Sequence, residues 1–365
     1  MKKLMTVFLA LVSCGSFAEV NFSYQKTVLA KGLDRPWGIS HLGGEKFIIT
    51  ERNGDVRILE NGQMSAAIDD LPSVYNAGQG GLLDVIADPD YDKNQVVYFT
   101  YAAGSATKNA TYLIKAKLKG SELSDIETLF VASPFKKQAY HYSGRITFLP
   151  DNSMMFAVGD GYFYKDDTQT LDNHFGKVIR INRDGSVPQD NPFVSKAGAL
   201  PEIYSLGHRN PQGMFYDVKR QLVFSNEHGP QGGDEINVIE PGVNYGWPVI
   251  TYGVDYGGDI ISDLTHKEGM AQPLLQWTPS IAPSSLLVYY GQEFPELNGH
   301  ILNTTLKYQE LRLVELTGAA DALKVAGQQT FLKSEGQRIR DIEIDDKGKL
   351  YLITDGGEVW QLSKK

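Results

Sequence analysis

The sequence predicts an all-β fold, a six-bladed β-propeller with four-stranded antiparallel blades, and three observations support this prediction. The chain of 365 residues contains 37 glycines and 19 tyrosines, which favours turns and strands over long helices. No stretch as long as an ordinary helix carries apolar residues at helical spacing. Instead, a pair of strands around a turn recurs six times, and a polar residue stands where the second strand ends.

Each repeat has alternating apolar positions around turn dipeptides such as Asp-Asn, Gly-Gly or Lys-Gly, as half-buried hairpins require. The repeats begin at Trp37, Leu82, Gly144, Gly213, Ser285 and Arg340. Units of this size, present several times, are typical of propeller blades. A β-sandwich is the alternative, but it would need fewer and more evenly short strands.

The two ends of the mature chain are expected to share one blade, as the terminal strands of a propeller usually do. Residues 21–30 would then pair beside residues 358–362 and close the ring. The long stretches 160–203 and 249–283 would be loops that crowd one rim. No linker or low-complexity segment interrupts the chain, so residues 19–365 are predicted to form a single domain.

The composition excludes some classes of partner. Hydrophobic residues make up 42% of the chain and charged residues 22%, as in a globular protein with ample material for a core. The formal net charge is −9. Nucleic acids and anionic membrane surfaces attract basic proteins, so we expect neither as a partner.

The N-terminus predicts export. Residues 1–18 read as a secretory signal peptide, with two lysines, an apolar run over 4–12 and a cleavage site before Glu19. The apolar run is too short for a transmembrane segment. A lipoprotein anchored through Cys14 is the alternative, and the mature chain has no cysteine pair for a disulfide. The predicted location is periplasmic or secreted.

Polar residues gather where the second strands of the repeats end. Because equivalent blade positions meet at the channel or at one rim, these residues should converge there, and convergent polar groups suggest a binding site. They are Glu51, Asp160, Glu227, Lys307 and Asp355.

Several further residues are candidates for a functional site. His141 stands just before a strand and is either a base or a structural histidine. Arg209 and Asn210 lie on a loop, where the arginine could merely pair with a surface carboxylate. Arg338 and Arg340 alternate at strand period, so their side chains point the same way. Two adjacent guanidinium groups repel each other unless an anion lies between them, and the pair therefore predicts an anion.

The loop at residues 227–237, EHGPQGGDEIN, has carboxylates and carbonyl oxygens freed by glycine and proline. Such hard oxygen ligands suit Ca²⁺ better than zinc or copper. The alternative is an acidic surface turn, and the spacing matches no EF-hand. The residues by themselves therefore indicate a cationic rim for an anionic ligand, a calcium candidate and a candidate base.

These residues stand in motifs that together resemble a known family, the soluble PQQ-dependent aldose sugar dehydrogenases of the glucose/sorbosone dehydrogenase group. The motifs follow the family's order over nearly the whole mature chain. They are GQGGLLDV (78–85), HYSGRITF (141–148), GKVIRINRDGSVPQDNPF (176–193), GHRNPQGM (207–214), EHGPQGGDEIN (227–237), NYGWP (244–248), TLKYQELRL (305–313) and RIRDIEID (338–345). The family's fold is a six-bladed propeller, in agreement with the repeats.

The resemblance implies a role for each matching residue. His141 corresponds to the catalytic general base. Positions that contact PQQ or shape its site correspond to Gln79, Arg209, Asn210, Lys307, Arg338, Arg340 and Asp355. Gly229 and Pro230 match the loop whose backbone oxygens hold Ca²⁺ against the cofactor. A second Ca²⁺ would use Glu235 and Tyr245.

The resemblance also implies the chemistry. An aldose would lose a hydride from C1 to PQQ and become a lactone, Ca²⁺ would act as a Lewis acid, and an external quinone or cytochrome would take the electrons. PQQ is a tricarboxylate, which explains a cationic pocket. A noncatalytic sugar- or protein-binding propeller is the alternative. A hydrolase is a third interpretation, but no serine stands in a G-x-S-x-G motif.

The chain departs from the family after Gly159-Asp160, where it has GYFYKDD. Tyr162 or Tyr164 would then stack on the quinone, or this side of the pocket would be more open. Tyr140 stands where the glucose-specific branch has an acidic residue nearby, which leaves the preferred sugar open.

Overall fold

The computed structural model describes residues 20–365, which form six four-stranded antiparallel sheets arranged as the blades of a propeller. The predicted fold class is therefore confirmed. The predicted signal peptide and Cys14 lie outside the described residues. Within residues 20–365 no helix is long and apolar enough to cross a membrane.

The strands are numbered in chain order, and each blade is ordered from the central channel outward. The first strand of the described residues is β1 (Tyr24–Ala30). The first blade contains β2 (Pro36–His41), β3 (Lys46–Glu51), β4 (Val56–Glu60) and β5 (Gln63–Met64). The second contains β6 (Leu82–Ala87), β7 (Val96–Ser105), β8 (Lys108–Lys119) and β9 (Glu122–Val131). The third contains β10 (Ser143–Phe148), β11 (Ser153–Val158), β12 (Lys177–Asn182) and β13 (Ile203–Leu206).

The remaining blades follow the same pattern. The fourth contains β14 (Pro211–Asp217), β15 (Leu222–Glu227), β16 (Asp234–Ile239) and β17 (Leu275–Trp277). The fifth contains β18 (Pro283–Val288), β19 (Ile301–Thr305), β20 (Leu311–Thr317) and β21 (Lys324–Phe331). The last contains β22 (Ile339–Ile344), β23 (Leu350–Thr354) and β24 (Val359–Lys364), with β1 as its outermost strand. The predicted starts of all six repeats lie in or directly at the innermost strands.

The predicted ring closure is confirmed, because β1 pairs antiparallel with β24 in the last blade. Phe22 strengthens this junction by packing edge-on against Phe294 and Phe331, with ring centroids 4.9 and 5.0 Å apart. Such T-shaped aromatic pairs add to the stabilisation from buried area alone. The N-terminal strand is thus held both by its ladder and by the core between two blades.

The two long stretches that the sequence predicts to be loops each contain a strand as well as loops. The stretch 160–203 contains β12, and 249–283 contains β17. Each blade needs four strands, and in these two blades the outer strands are separated by long connections. Helices are scarce among residues 20–365, with one short α-helix, α1 (Tyr91–Asn94), and four 3₁₀ turns.

Burial follows the position of a strand within its blade. All residues of β11 and β23 are buried, because these strands pack on neighbouring blades on both faces. The outermost strands β1 and β21 contain only exposed and half-buried residues. The core therefore lies between the blades, around the channel.

A bulge recurs at the start of every innermost strand. In each of the six blades the register between the first and second strands shifts within the first few residues. A bulge puts an extra residue into one strand and re-aims its side chains. Trp37, Leu83, Gln212 and Arg340 lie within these bulges, and all four line the cavity described next.

Candidate active site

A cavity of about 250 Å³ lies at the end of the channel where the bulges meet. Its charged lining is three arginines and a single aspartate, so the walls carry an excess of positive charge. The lining residues are Trp37, Arg52, Gln79, Leu83, Tyr142, Ser143, Asn210, Gln212, His228, Leu306, Arg338, Arg340 and Asp355. Five of the predicted cofactor-binding residues are among them, and Arg209 and Lys307 are not.

Arg338 and Arg340 reach the same side of the cavity, as their spacing predicts. The Nε atoms of both donate to Asp355, at 2.7 and 2.9 Å. Burial opposes ionisation of Asp355, but the two guanidinium groups outweigh it and lower the pKa of the carboxyl. The anion predicted between the two arginines is therefore supplied by the chain itself. Arg338 remains more open, with 46% of its side chain exposed against 12% for Arg340.

Arg52 is a cation of this site that sequence reasoning missed. Its Nη2 donates to the carbonyl oxygens of Gly78 and Gly80, at 2.5 and 2.6 Å. Burial, followed by the charges of Arg35 and Arg340, lowers the pKa of the Arg52 guanidinium. Arg52 directly follows Glu51, so the rule that polar residues gather at the ends of second strands could have found it.

His141 is buried immediately before β10, with a left-handed φ of 45°. Its Nδ1 lies 2.6 Å from Oδ1 of Asp160, and its backbone N–H donates to Oε1 of Gln79 at 2.8 Å. Burial lowers the pKa of the imidazole, Arg209 and Lys136 lower it further, and Asp160 opposes them. His141 is therefore neutral at pH 7. The neutral ring carries its hydrogen on Nδ1, because Nδ1–H donates to the Asp160 carboxylate. Nε2 has no hydrogen-bond partner among residues 20–365.

Asp160 holds several parts of the site together. Its Oδ1 also accepts from the backbone N–H of Tyr162 at 2.7 Å, and its Oδ2 accepts from Nε1 of Trp247 at 2.8 Å. Burial raises the pKa of the carboxyl, but the contact with His141, the charge of Arg209 and the Tyr162 N–H together outweigh burial, so the pKa is lowered. The sequence places Asp160 at a strand end, but it does not pair the residue with His141. A side chain at Gly159 would clash with the carbonyl oxygen of His141, so this pairing requires a glycine there.

Lys136 supports the segment before His141, and sequence reasoning did not identify it. Its buried Nζ donates to the carbonyl oxygen of Tyr140 at 2.6 Å and lies 3.5 Å from the centre of the Tyr142 ring. Burial lowers the pKa of the ammonium to about 7, against the attraction of Asp160. Lys136 thus holds the backbone on the N-terminal side of His141.

Arg209 and Asn210 lie at the start of the fourth blade and are both buried. Nη1 of Arg209 donates to the carbonyl oxygens of His228 and Gly229, at 3.2 and 2.8 Å, and the guanidinium lies 5.4 Å from the Trp247 ring. Asn210 lines the main cavity and accepts from Oγ of Ser143 at 3.2 Å. Arg209 therefore acts on the calcium-candidate loop rather than on the main cavity.

A second cavity of about 400 Å³ shares His228 with the first, and here the structure places Lys307 together with Gly229 and Pro230. Burial lowers the pKa of His228 to about 3, with a further contribution from Arg209. His228 is therefore neutral, and its Nε2 donates to the carbonyl oxygen of Pro283 at 2.7 Å. The Lys307 side chain is exposed.

The calcium-candidate loop is shaped by Asp234. Its carboxylate accepts from the backbone N–H groups of Gly229, Ile281 and Ala282 at 2.7–2.8 Å. The carbonyl oxygen of Gly229 accepts from Arg209, and that of Pro230 accepts from Oγ of Ser280 at 3.2 Å. Each carbonyl keeps a second lone pair, so these oxygens can act as neutral metal ligands.

A small cavity of about 20 Å³ lies beside Glu227, Glu235 and Tyr245. Burial, followed by the charge of Glu227, raises the pKa of Glu235 to about 8. The hydroxyl of Tyr245 is already engaged, since it donates to the carbonyl oxygen of Val238 at 2.5 Å and accepts from the Glu240 N–H at 2.9 Å. The two carboxylates are therefore the anionic groups that line this cavity, and Arg209 is its cationic group. No three His, Cys, Asp or Glu side chains in the described part of the chain form a ready-made metal site.

Arg145 separates the main cavity from the rest of the channel. Its guanidinium lies 4.4 Å from the centre of the Trp37 ring, and its Nη1 contacts Asp84 and Asp341 at 2.6 Å each. Beyond it a further cavity of about 180 Å³ includes Glu343. Burial raises the pKa of Glu343 to about 7, helped by Asp341 and Asp84.

The chain is similar to known proteins along most of its length. A family model described as glucose/sorbosone dehydrogenase matches residues 33–361. An uncharacterised protein of Synechocystis is 38% identical over 343 residues, which cover 89% of this chain and 82% of that protein. The aldose sugar dehydrogenase YliI of Escherichia coli is 34% identical over 347 residues, which cover 93% of this chain and 92% of that enzyme.

Solved structures agree with these matches. The soluble aldose sugar dehydrogenase of E. coli in its apo-form superposes with a TM-score of 0.89 at 33% identity, over 94% of this chain and 100% of that one. The PQQ-bound form of the aldose sugar dehydrogenase from Streptomyces coelicolor has a TM-score of 0.74 at 28% identity, over 93% and 98%. The chain described here belongs to the glucose/sorbosone dehydrogenase family.

Proposed function

We propose that this protein oxidises aldose sugars at C1 to lactones, with PQQ and Ca²⁺ as cofactors and His141 as the general base. The observation that carries the proposal is the buried His141–Asp160 pair beside a cavity with a cationic lining. Oxidation of the sugar needs a base that takes the hydroxyl proton while the hydride passes to the quinone. The carboxylates of PQQ need an anion-binding pocket next to that base.

The residues of the main cavity fit PQQ by charge. Arg52, Arg338 and Arg340 face a single carboxylate, Asp355, so the walls favour a ligand with several negative charges. Guanidinium groups suit planar carboxylates because they donate two parallel hydrogen bonds. Gln79 and Asn210 add neutral polar groups. When bound, the cofactor would supply a two-electron acceptor for the hydride from C1.

His141 would take the proton of the anomeric hydroxyl. Asp160 fixes the tautomer in which Nδ1 carries hydrogen, and this leaves the lone pair on Nε2 free to accept. As the imidazole becomes an imidazolium, the Asp160 carboxylate stabilises the new positive charge. A positioned base of this kind contributes roughly 10²–10⁴ in rate.

Ca²⁺ would be held by the carbonyl oxygens of Gly229 and Pro230, where it would act as a Lewis acid. These ligands carry no charge, and Arg209 donates to one of them. The negative charge that a divalent ion needs would therefore come from the acidic cofactor. We expect Ca²⁺ and PQQ to bind this site cooperatively, each strengthening the other.

A second Ca²⁺ would bind beside Glu235 and Tyr245, with Glu227 as the second carboxylate of this cavity. The pKa of Glu235 is raised by burial and by the neighbouring charge of Glu227. Two carboxylates this close are stabilised when a proton or a cation lies between them. A cavity of about 20 Å³ is large enough for one small ion.

The electrons would pass to an external acceptor, a quinone or a cytochrome, and the enzyme would work after export to the periplasm or beyond. A noncatalytic sugar- or protein-binding propeller remains the alternative. The buried contact between His141 and Asp160 argues against it, because a binding module has no use for an oriented base.

The test is reconstitution of the purified protein with PQQ and Ca²⁺, followed by reduction of an artificial dye with a panel of aldoses. We expect turnover that requires the sugar, the quinone, calcium and His141. His141→Ala should abolish turnover but retain PQQ binding, whereas the exposed His266→Ala should behave like the parent protein. Binding of PQQ without oxidation of any aldose would refute the substrate class, and no binding of PQQ would refute the cofactor assignment.

A further inference from the structure

A buried indole contacts the carboxylate that orients the candidate base. Nε1 of Trp247 donates to Oδ2 of Asp160 at 2.8 Å, and Oδ1 of the same carboxylate lies 2.6 Å from Nδ1 of His141. All three side chains are buried. Trp247 belongs to the motif NYGWP (244–248), of which the proposed function uses only Tyr245.

The backbone of Trp247 is itself fixed by three hydrogen bonds from other segments of the chain. Its N–H donates to the carbonyl oxygen of Gly207 at 2.9 Å. Its carbonyl oxygen accepts from Oγ1 of Thr168 at 2.6 Å and from Nε2 of Gln169 at 2.7 Å. A functional group is held precisely when the residues that support it are themselves locked in place. An indole fixed in this way can hold the Asp160 carboxylate in a single orientation.

The indole N–H is the one hydrogen-bond donor to Oδ2 of Asp160 among residues 20–365. Oδ1 already serves His141 and the backbone N–H of Tyr162. Without the indole donor, a buried carboxylate oxygen would have no partner in the described part of the chain, which is costly for a charged group. The contact is therefore more than packing of an aromatic ring.

The same ring contacts the arginine that holds the calcium-candidate loop. The guanidinium of Arg209 lies 5.4 Å from the centre of the Trp247 ring, and its Nη1 donates to the carbonyl oxygen of Gly229 at 2.8 Å. The backbone N–H of Asp160 donates to the carbonyl oxygen of Arg209 at 2.8 Å. The face of the indole thus supports Arg209, and its N–H reaches the partner of the candidate base.

We propose that Trp247 is a positioning residue for the candidate base His141 and acts on it through Asp160. This inference rests on the proposed function, in which Nε2 of His141 takes the proton of the anomeric hydroxyl. The imidazole can present Nε2 to that hydroxyl only while the carboxylate on its Nδ1 keeps one orientation. With partners on both oxygens, the carboxylate of Asp160 cannot rotate without breaking at least one hydrogen bond.

The indole also affects how basic His141 is. An N–H donor stabilises a carboxylate anion, so the carboxylate interacts less strongly with a proton on the neighbouring imidazole. Without the indole donor, the carboxylate of Asp160 should stabilise the imidazolium more strongly, and the pKa of His141 should rise. The other charged or titratable groups near the ring are Arg209, Lys136 and His228, and they stay unchanged when only the indole is altered.

The experiment compares Trp247→Phe, which keeps an aromatic ring but removes the N–H, with Trp360→Phe. Trp360 is a matched control in the last blade, because it is buried, its Nε1 donates to Glu358 at 2.7 Å and the ammonium of Lys26 lies 4.2 Å from its ring centre. An NMR titration of the histidine ring nitrogens in the apo-protein should give a higher midpoint for His141 in Trp247→Phe. The midpoint in Trp360→Phe should equal that of the parent.

The kinetic part uses the enzyme reconstituted with PQQ and Ca²⁺. Trp247→Phe should lower kcat roughly tenfold, the low end for the loss of a hydrogen bond to a charged group. The acid limb of the kcat/KM profile should move to higher pH, opposite to the effect of Asp160→Asn. In the Asp160→Asn background Trp247→Phe should have no further effect on kcat, because the indole acts through that carboxylate.

An unchanged midpoint for His141 in Trp247→Phe would overturn the inference, and so would a full loss of kcat on top of Asp160→Asn. If Trp247→Phe does not fold, the parent protein decides. The chemical shift of its Trp247 indole N–H should follow the titration of His141, and a shift independent of that titration overturns the inference. If the parent oxidises no aldose, the proposed function fails separately, and the titration of the apo-protein still decides whether Trp247 acts on His141.

Discussion

Oδ1 of Asp160 lies 2.6 Å from Nδ1 of His141, and both side chains are buried. A carboxylate in this position orients the imidazole, selects its tautomer and raises the pKa of the ring against the effect of burial. The proposed base at this site is therefore a pair of residues rather than a lone histidine.

Asp160→Asn should lower kcat roughly 10²–10⁴-fold, because an amide neither fixes the tautomer nor stabilises the imidazolium. The pKa of His141 should fall without the carboxylate, so the acid limb of the kcat/KM profile should move to lower pH. Affinity for PQQ, followed by fluorescence quenching, should change little. An unaltered kcat would remove Asp160 from the mechanism.

Lys136→Met should shift the same acid limb in the opposite direction. Lys136 carries charge below about pH 7 and lowers the pKa of His141, so the loss of its charge should raise that pKa. The other charged or titratable groups near the ring, Asp160, Arg209 and His228, are unchanged in this variant. Lys137→Met, on the exposed neighbour, is the matched control. A shift of equal size in both variants would argue against a specific effect.

Arg340→Met should weaken PQQ binding more than Arg338→Met. Arg340 is largely buried and Arg338 is half exposed, so solvent screens the charge of Arg338 more strongly. We expect at least a tenfold rise in Kd for Arg340→Met and a few-fold rise for Arg338→Met, with a weaker dependence on salt in both. Arg220→Met removes an arginine paired with Asp217 away from the cavity and should have no effect. Equal losses in all three variants would indicate general destabilisation.

Glu343 should make the apo-protein less stable as the pH rises. Its pKa is about 7 in the folded chain and near 4.5 when unfolded, so between these values only the folded state holds the proton. The contribution of Glu343 to the free energy of unfolding is therefore complete below about pH 4.5 and lost by about pH 7, a change of roughly 1–3 kcal/mol. Urea denaturation across this range should show a shallower decline for Glu343→Gln than for the parent. The exposed Glu268→Gln should follow the parent, and no difference between the two variants would contradict the assignment.

Ca²⁺ should raise the thermal stability of the protein even without PQQ, through the site beside Glu227 and Glu235. A ligand at 100 times its Kd stabilises the folded state by about 2.7 kcal/mol, which scanning calorimetry resolves easily. Glu235→Gln should abolish this gain, and the exposed Glu240→Gln should retain it. An equal gain with Mg²⁺ would argue against a site selective for calcium.

The blades could be predicted from the sequence because strand alternation and turn dipeptides are local signals. Each first strand and the pairing of residues 21–30 with the C-terminus follow from them. The bulges could not be predicted from the sequence, because they depend on how the first strand of a blade fits its neighbours across the channel. Trp37 and Gln212 stand in sequence repeats or motifs, but only the bulges direct them into the site.

The residues of the candidate site could be predicted better than their partners. Strand spacing predicts that Arg338 and Arg340 lie on one side, but the anion between them is Asp355, which lies 17 residues from Arg338. The sequence identifies Asp160 as a polar strand end, and its bond to His141 arises only when two strand ends of one blade meet. Lys136 lacked any signal, because a lone lysine in a loop reads as a solvated charge.

The closure of the ring has a consequence for how the chain reaches this structure. Gln25 in β1 faces Ser363 in β24, which lies 338 residues further along the chain. During synthesis β1 therefore cannot form its ladder until β24 has been made. Contacts of such long sequence separation slow folding, and an unpaired strand edge is open to aggregation in the meantime. We therefore expect the last blade to assemble only after synthesis of its final strand, and a chain truncated before β24 to remain an open, aggregation-prone ring.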